Sequence, residues 1–270
     1  MPEGVRAGHR VHWRVIGTGP RRCIALHCSL AHSGALKPLF ERLGDLMTAT
    51  VIDMPGHGRS ADWRGPGPLQ NAVVDIAASF LGEDDEPGQV DLVGHSFGGT
   101  SLLRLACEHP GRVRSLTLIE PPFYAAAEAA GAPEIATQRA LDAPFARMQA
   151  EGDRRGAARA FTQVWGAGSQ WEALTRDQQD YIVDRIHLIE GGGVGLNADY
   201  GGILAPGVLG RLICPVLLIR GTTSPPSVPA VLRALRDRLP DARIVTIEGA
   251  GHMVPITHPD AVAEAIRAFL

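Results

Sequence analysis

The stretch Gln89-Val90-Asp91-Leu92-Val93-Gly94-His95-Ser96-Phe97-Gly98-Gly99 constrains this chain more than any other. Val90 to Val93 is a short apolar run, the pattern of a buried strand. Gly94-His95-Ser96-Phe97-Gly98 follows in the G-x-S-x-G spacing. Thr100 to His109 then carries Leu102, Leu103, Leu105 and Ala106 at helical positions. In a strand, tight turn and helix of this kind the serine is held in a strained conformation, its hydroxyl lifted off the sheet. Gly94 and Gly98 lack the side chains that would keep strand and helix apart. The helix N-terminus beyond Ser96 offers free N–H groups to a developing anion. A glycine-rich β–α turn without chemistry has the same spelling, so the rest of the chain must decide between the two.

The rest of the chain bounds the answer. Its 270 residues suit an α/β fold, and a hydrophobic content of 45% supplies a sizeable core. Basic and acidic residues, 26 against 29, give a net charge of −3 with no dense basic run, so no nucleic-acid partner is expected. Met1-Pro2-Glu3-Gly4 opens no apolar signal segment, and no apolar run reaches the length of a membrane span. Cys23, Cys28, Cys107 and Cys214 show no CxxC pair or zinc-like spacing, which reads as free thiols in a reducing cytoplasm.

Strand and helix patterns alternate along most of the chain. Strands are expected over His9–Val15, Cys23–Leu26, Thr48–Asp53, Val90–Val93, Arg112–Ile119, Pro215–Arg220 and Arg243–Ile247. Helices are expected over Ala35–Leu46, Asn71–Leu81, Thr100–His109, Pro229–Leu239 and Pro259–Leu270. Such alternation implies an α/β fold, a mostly parallel sheet flanked by helices. Tyr124–Ala150, Arg154–Trp165 and Thr175–Ile189 interrupt it with helical patterns, which Pro133, Pro144, Gly166-Ala167-Gly168 and Gly191-Gly192-Gly193 are expected to break. The division that follows is a core over 1–120 and 207–270 with an inserted helical cap over 121–206.

A serine hydroxyl is a weak nucleophile without a base in hydrogen-bond reach and a group to orient that base. The candidate base is His252, in the glycine-flanked loop Glu248-Gly249-Ala250-Gly251-His252 between the last strand and the last helix. Taken together, the Leu26-His27 loop, Asp53-Met54-Pro55-Gly56-His57-Gly58-Arg59-Ser60, Gly94-His95-Ser96-Phe97-Gly98-Gly99 and Gly249-Ala250-Gly251-His252 make the chain resemble the α/β-hydrolase fold family in its capped form. The resemblance covers nearly the whole chain. It implies Ser96 as nucleophile, His252 as base and a structural role for the His57 loop.

The chain departs from that family twice. Members commonly carry an aspartate shortly after the strand that here is Pro215–Arg220, where this chain reads Gly221-Thr222-Thr223-Ser224-Pro225-Pro226. Ser224 stands at the expected position, and an uncharged hydroxyl there is expected to contribute little. Some capped members take the acid from the strand after the nucleophile helix instead, which points to Glu120 in Leu118-Ile119-Glu120-Pro121-Pro122. A glutamate closing an apolar strand is costly without a partner. Asp237 and Glu248 are the other carboxylates in contention. The second departure is the oxyanion loop, His27-Cys28-Ser29 in place of His-Gly-x. The resemblance points to the N–H groups of Ser29 and Phe97, with Leu30 as the neighbouring alternative; backbone donors make loop geometry matter more than side-chain identity. Cys28 reads as a small buried residue rather than a nucleophile.

The reading is a serine hydrolase of the esterase kind, acting on a small-molecule ester, thioester or lactone through Ser96, His252 and Glu120, with no metal or organic cofactor. Leu30, His32, Phe145, Trp165 and His187 are expected at the substrate, and acyl-group choice depends on how cap residues such as Phe145, Met148, Phe161, Trp165 and Tyr181 face the pocket. Three rivals share the fold: carbon–carbon bond hydrolysis, a non-catalytic ligand receptor, and cofactor-free oxygenase chemistry driven by His252 alone. Haloalkane or epoxide chemistry is disfavoured because those relatives need an aspartate where Ser96 stands.

Overall fold

The computed structural model describes residues 2–63, 65–82, 88–166 and 171–270. Among the described residues eight strands form one sheet: β1 (Glu3–Arg6), β2 (His9–Ile16), β3 (Arg21–Leu26), β4 (Met47–Ile52), β5 (Val90–His95), β6 (Val113–Ile119), β7 (Val216–Gly221) and β8 (Ala242–Ile247). Their order is β1-β2-β4-β3-β5-β6-β7-β8. The six strands from β4 to β8 along this order pair in parallel, while β2 is antiparallel to both β1 and β4. The short β1, polar and partly exposed, was not among the expected strands.

Alternation along each strand builds a core on both faces of the sheet. Ile24, Leu26, Leu92, Leu116, Leu118 and Leu218 belong to one apolar cluster. Their neighbours Cys23, Ala25, Val93, Ile119, Leu217 and Ile219 belong to another. The helices α1 (Lys37–Arg42), α2 (Leu69–Ala78) and α3 (Phe97–Glu108) cover these faces with α9 (Ser227–Arg236), α10 (Val254–Thr257) and α11 (Pro259–Phe269). In α3, Leu102, Leu103 and Leu105 are wholly buried, each worth about 1.5–3 kcal/mol, so the helix that follows Ser96 is firmly seated.

Between β6 and β7 run α4 (Tyr124–Ala129), α5 (Glu134–Ala150), α6 (Arg154–Trp165), α7 (Arg176–Arg185) and α8 (His187–Asn197). A smaller apolar cluster joins α5 to α8, centred on Ala157, Ala158, Trp171 and Ile186. This block also roots in the main core, because α4 packs on α9 and α8 packs on α2.

Two expected breaks are absent, and one expected helix is shorter. Pro144 lies inside α5, which continues through it. Gly191, Gly192 and Gly193 lie inside α8. A Cβ on Gly191 would come within 2.8 Å of Trp63, and one on Gly192 within 3.2 Å of Phe97. These glycines serve close approach, not termination. The helix expected over Ala35–Leu46 is a 3-10 turn, Ser33–Leu36, followed by the short α1. Gly166 ends α6 as expected, whereas Ala167 and Gly168 lie outside the described residues. Among the described residues no helix is long and apolar enough to cross a membrane.

Candidate active site

Strand register brings the chemistry to one edge. His95 pairs with Ile119, Ile119 with Ile219, and Gly221 with Ile247, so β5 to β8 end level with one another. The residues that follow them are therefore neighbours. The Ser96 N–H donates to the Ile119 carbonyl at 2.8 Å, and the Glu120 N–H to the Ile219 carbonyl at 2.9 Å. The strand order reverses direction between β3 and β5, which opens a crevice for loops at their carboxyl ends.

Ser96 has φ 55° and ψ −126°, a left-handed conformation that costs a non-glycine residue about 1–3 kcal/mol. The surroundings impose it. A Cβ on Gly94 would lie 2.5 Å from Gly99 Cα, and one on Gly98 2.5 Å from the His27 carbonyl oxygen. Only glycine lets β5, α3 and the His27 loop converge so tightly.

His252 Nε2 lies 3.0 Å from Ser96 Oγ, and His252 Nδ1 lies 3.2 Å from Glu120 Oε2. A carboxylate accepts, so Nδ1 carries the proton and Nε2 is left to accept from the serine hydroxyl. All three side chains are nearly sealed, with exposures of 6% for Ser96, 3% for His252 and 0% for Glu120. Glu120 also has a positive φ, 54°. Its Oε1 accepts from the Gly221 N–H at 2.7 Å and from Ser224 Oγ. Ser224 is thus bonded to the carboxylate, contrary to the idle role expected of it. Asp237 is exposed and pairs with Arg236, and Glu248 is exposed, with an oxygen 3.4 Å from Thr222 Oγ1. The structure brings Glu120 to His252 and leaves these two at the surface.

Two further groups contact His252, and the sequence reading missed the first. His95 Nε2 donates to the His252 carbonyl at 2.8 Å, tying the last loop to the turn that holds Ser96. Burial, and then the nearness of His252, keeps the His95 pKa well below the usual histidine range, so it acts as a neutral donor. Trp165 stands edge-on to His252 with ring centroids 4.6 Å apart. Its position in the cavity was expected; its contact with His252 was not.

The N–H groups of Ser29 and Phe97 have no acceptor among the described residues. Both residues border the cavity in front of Ser96. His27 shapes the Ser29 loop, donating from Nδ1 to the Cys28 carbonyl at 2.7 Å while Nε2 accepts from the Met54 N–H at 3.1 Å. Leu30, with φ 61°, closes that loop. Burial pushes the Cys28 thiol up to about 12, which leaves it uncharged and unreactive near neutral pH. His57 donates to the Pro55 carbonyl and packs against His27 at 5.2 Å, a structural placement.

A cavity of about 830 Å³ opens onto Ser96 and His252. Phe145, Phe161 and Trp165 line it, together with Tyr124, Ile135 and Met253. Leu30, His32 and His187 are not among its described lining residues, which corrects their expected place at the substrate. Leu30 packs into the small cluster around Trp171. His32 accepts from the Gly34 N–H, capping the 3-10 turn, and meets the Tyr181 ring. His187 borders a separate cavity with Trp63 and Arg154. Tyr181 also lies off the main cavity, its hydroxyl held between the Gly58 N–H and the Ala31 carbonyl. Met148 is packed in the small cluster as well.

Comparison with known proteins agrees with this architecture. The sequence profile of the "Alpha/beta hydrolase family" matches residues 23–265. A pimeloyl-[acyl-carrier protein] methyl ester esterase of Xanthomonas campestris is 31% identical over 266 residues, covering 96% of this chain and 98% of that protein. A 2-(acetamidomethylene)succinate hydrolase of Mesorhizobium japonicum is 27% identical, covering 94% and 89%. Among solved structures, the enol-lactonase of Burkholderia xenovorans superposes with a TM-score of 0.69 at 21% identity over 99% of both chains.

Proposed function

The chain belongs to the alpha/beta hydrolase family, and from that premise we propose the reaction of this serine hydrolase: cleavage of a carboxylic ester, with thioesters and lactones in the same class, through an acyl-enzyme. Ser96 Oγ attacks the carbonyl carbon and gives its proton to His252 Nε2. Glu120 stabilises the resulting imidazolium and fixes its tautomer. The N–H groups of Ser29 and Phe97 hold the oxyanion. His252 then protonates the leaving alcohol or thiol as the carbon–oxygen or carbon–sulfur bond breaks. Water, deprotonated by His252, attacks the acyl carbon, and the acid departs with Ser96 restored.

The observation that carries this reading is the unbroken chain from Ser96 Oγ to His252 at 3.0 Å and from His252 to Glu120 at 3.2 Å. A non-catalytic receptor would be favoured by a missing triad acid, and the Glu120 carboxylate beside His252 counts against it. The esterase name of the Xanthomonas relative, 31% identical, favours an ester over a carbon–carbon bond. Residues 121–206 act as the cap that walls the cavity. Four free cysteines fit a reducing cytoplasm.

The test is covalent. A fluorophosphonate should label the folded protein at Ser96, located by mass spectrometry. A panel of p-nitrophenyl esters of rising chain length, run beside acyl thioesters, should then show turnover. A folded protein that neither labels nor hydrolyses any of them would sink the proposal.

A further inference from the structure

The cavity in front of Ser96 has mostly apolar walls, yet a carboxylate faces it. Asp142 on α5 is half-buried among the lining residues. It accepts three hydrogen bonds, all from neutral donors: Gln138 Nε2 at 3.2 Å, Trp165 Nε1 at 3.3 Å and Tyr124 Oη at 3.4 Å. Strong donors usually approach a carboxylate to roughly 2.5–2.9 Å. Other buried acids of this chain have such donors. Asp91 binds Arg21 at 2.9 Å, Ser115 at 2.7 Å and Arg114 as well. Asp53 takes His12 Nδ1 at 2.7 Å and the Ser33 N–H at 2.6 Å. Asp142 has three long bonds and, among the described residues, no cation.

The surroundings of Asp142 are themselves fixed. Gln138 is 1% exposed, and its Oε1 accepts from Ser227 Oγ at 3.1 Å. Trp165 reaches from Asp142 at its Nε1 to His252 at its ring edge, so the carboxylate stands one indole away from the base. The other charged lining residues, Arg139 and Glu190, are exposed, and Arg139 is engaged by Glu128. Burial drives the Asp142 pKa upward, the direction expected of an acid short of partners. A purely alkyl substrate filling the cavity would strip water from this carboxylate and return nothing.

We propose that Asp142 sets substrate choice by accepting a hydrogen bond from a hydroxyl or ammonium group that the ester carries a few atoms from its scissile carbonyl. This inference rests on the hydrolase reading of Ser96. A carboxylate at the same place on the substrate is repelled, and a methyl group leaves Asp142 unserved.

Methyl esters of linear acids of increasing chain length test it, each made with an ω-methyl, ω-hydroxyl, ω-ammonium or ω-carboxylate end. Acetate esters of the matching alcohols cover the leaving-group side. At the fitting length the hydroxyl or ammonium ester should exceed its methyl counterpart in kcat/KM by about tenfold or more. The hydroxyl and ammonium arms tell which donor is preferred. In Asp142→Leu that ratio should fall to about one. In Asp142→Asn the ammonium preference should vanish while part of the hydroxyl preference survives. Equal kcat/KM for donor and methyl esters at every length in the wild-type enzyme would overturn the inference while leaving ester hydrolysis intact, as would a preference that persists in both variants. Absence of all hydrolysis and labelling would instead remove the reading beneath it, and the inference with it.

Discussion

Ser224 Oγ donates to Glu120 Oε1, while the Gly221 N–H reaches both oxygens, at 3.0 Å and 2.7 Å. The residue that stands where an aspartate was expected thus grips the carboxylate that faces His252. Glu120 is completely buried, so every donor to it counts. A hydrogen bond to a charged group is worth about 1.5–3 kcal/mol. Ser224→Ala should lower kcat by about tenfold and leave KM nearly unchanged. Steady-state kinetics on one p-nitrophenyl ester decides it; a wild-type kcat would return Ser224 to the idle role.

Glu120→Gln keeps the shape and removes the charge. The loss should reach roughly ten-thousandfold in kcat, by analogy with an aspartate in the same role. Ser224→Asp alone should also be damaging, because two carboxylates would share one buried site. Combined with Glu120→Gln it should recover part of the rate, since the new acid takes over the vacated duty. A double variant no better than Glu120→Gln alone would show that β7 offers His252 no second seat.

Ser96→Ala and His252→Ala should each reduce turnover by several orders of magnitude, and the double variant should be no worse than the weaker of the two. Circular dichroism should show unchanged folds, as neither side chain anchors the apolar clusters. Additive losses would mean that the two residues do not act as one unit.

Stability should fall with pH well before the carboxylates titrate. Burial lowers His27 from 6.5 to about 4 and His57 from 6.5 to about 3, with the charge of His27 adding to the latter. Below 6.5 the unfolded chain takes up protons that the folded chain refuses. The stabilisation is therefore complete above about 6.5 and drains away as pH drops toward 4 and then 3. For His27 alone it is on the order of 3 kcal/mol. Urea midpoints measured from pH 7 to pH 4 should decline steeply, and His57→Gln should flatten the slope. A midpoint independent of pH over that range would contradict the burial of these rings.

Most of the fold was legible because short-range rules carry it. A buried strand, a glycine-flanked serine and an alternating pattern need no tertiary knowledge, and His252 stands out by its loop after the last strand, whereas Glu120 is suggested only by the resemblance to capped α/β-hydrolases. What stayed hidden depends on contacts across the fold. Gly191 and Gly192 spell a break but lie inside α8, because Trp63 and Phe97 press against them. Pro144 likewise gives no sign that α5 continues through it. The bond from Ser224 to Glu120 joins residues 104 positions apart, and a serine announces no partner. His187 was placed at the substrate by its type, while its helix turns it to another cavity.

Trp165, edge-on to His252 at 4.6 Å, gives the molecule an optical property. A protonated imidazole quenches a neighbouring excited indole far more strongly than a neutral one. Emission from Trp165 therefore dims whenever the base holds its extra proton. Trp13, Trp63 and Trp171 have no contact with His252 among the described residues and form a steady background. In stopped-flow fluorescence the enzyme becomes its own reporter, each passage of charge across His252 written as a flicker of light.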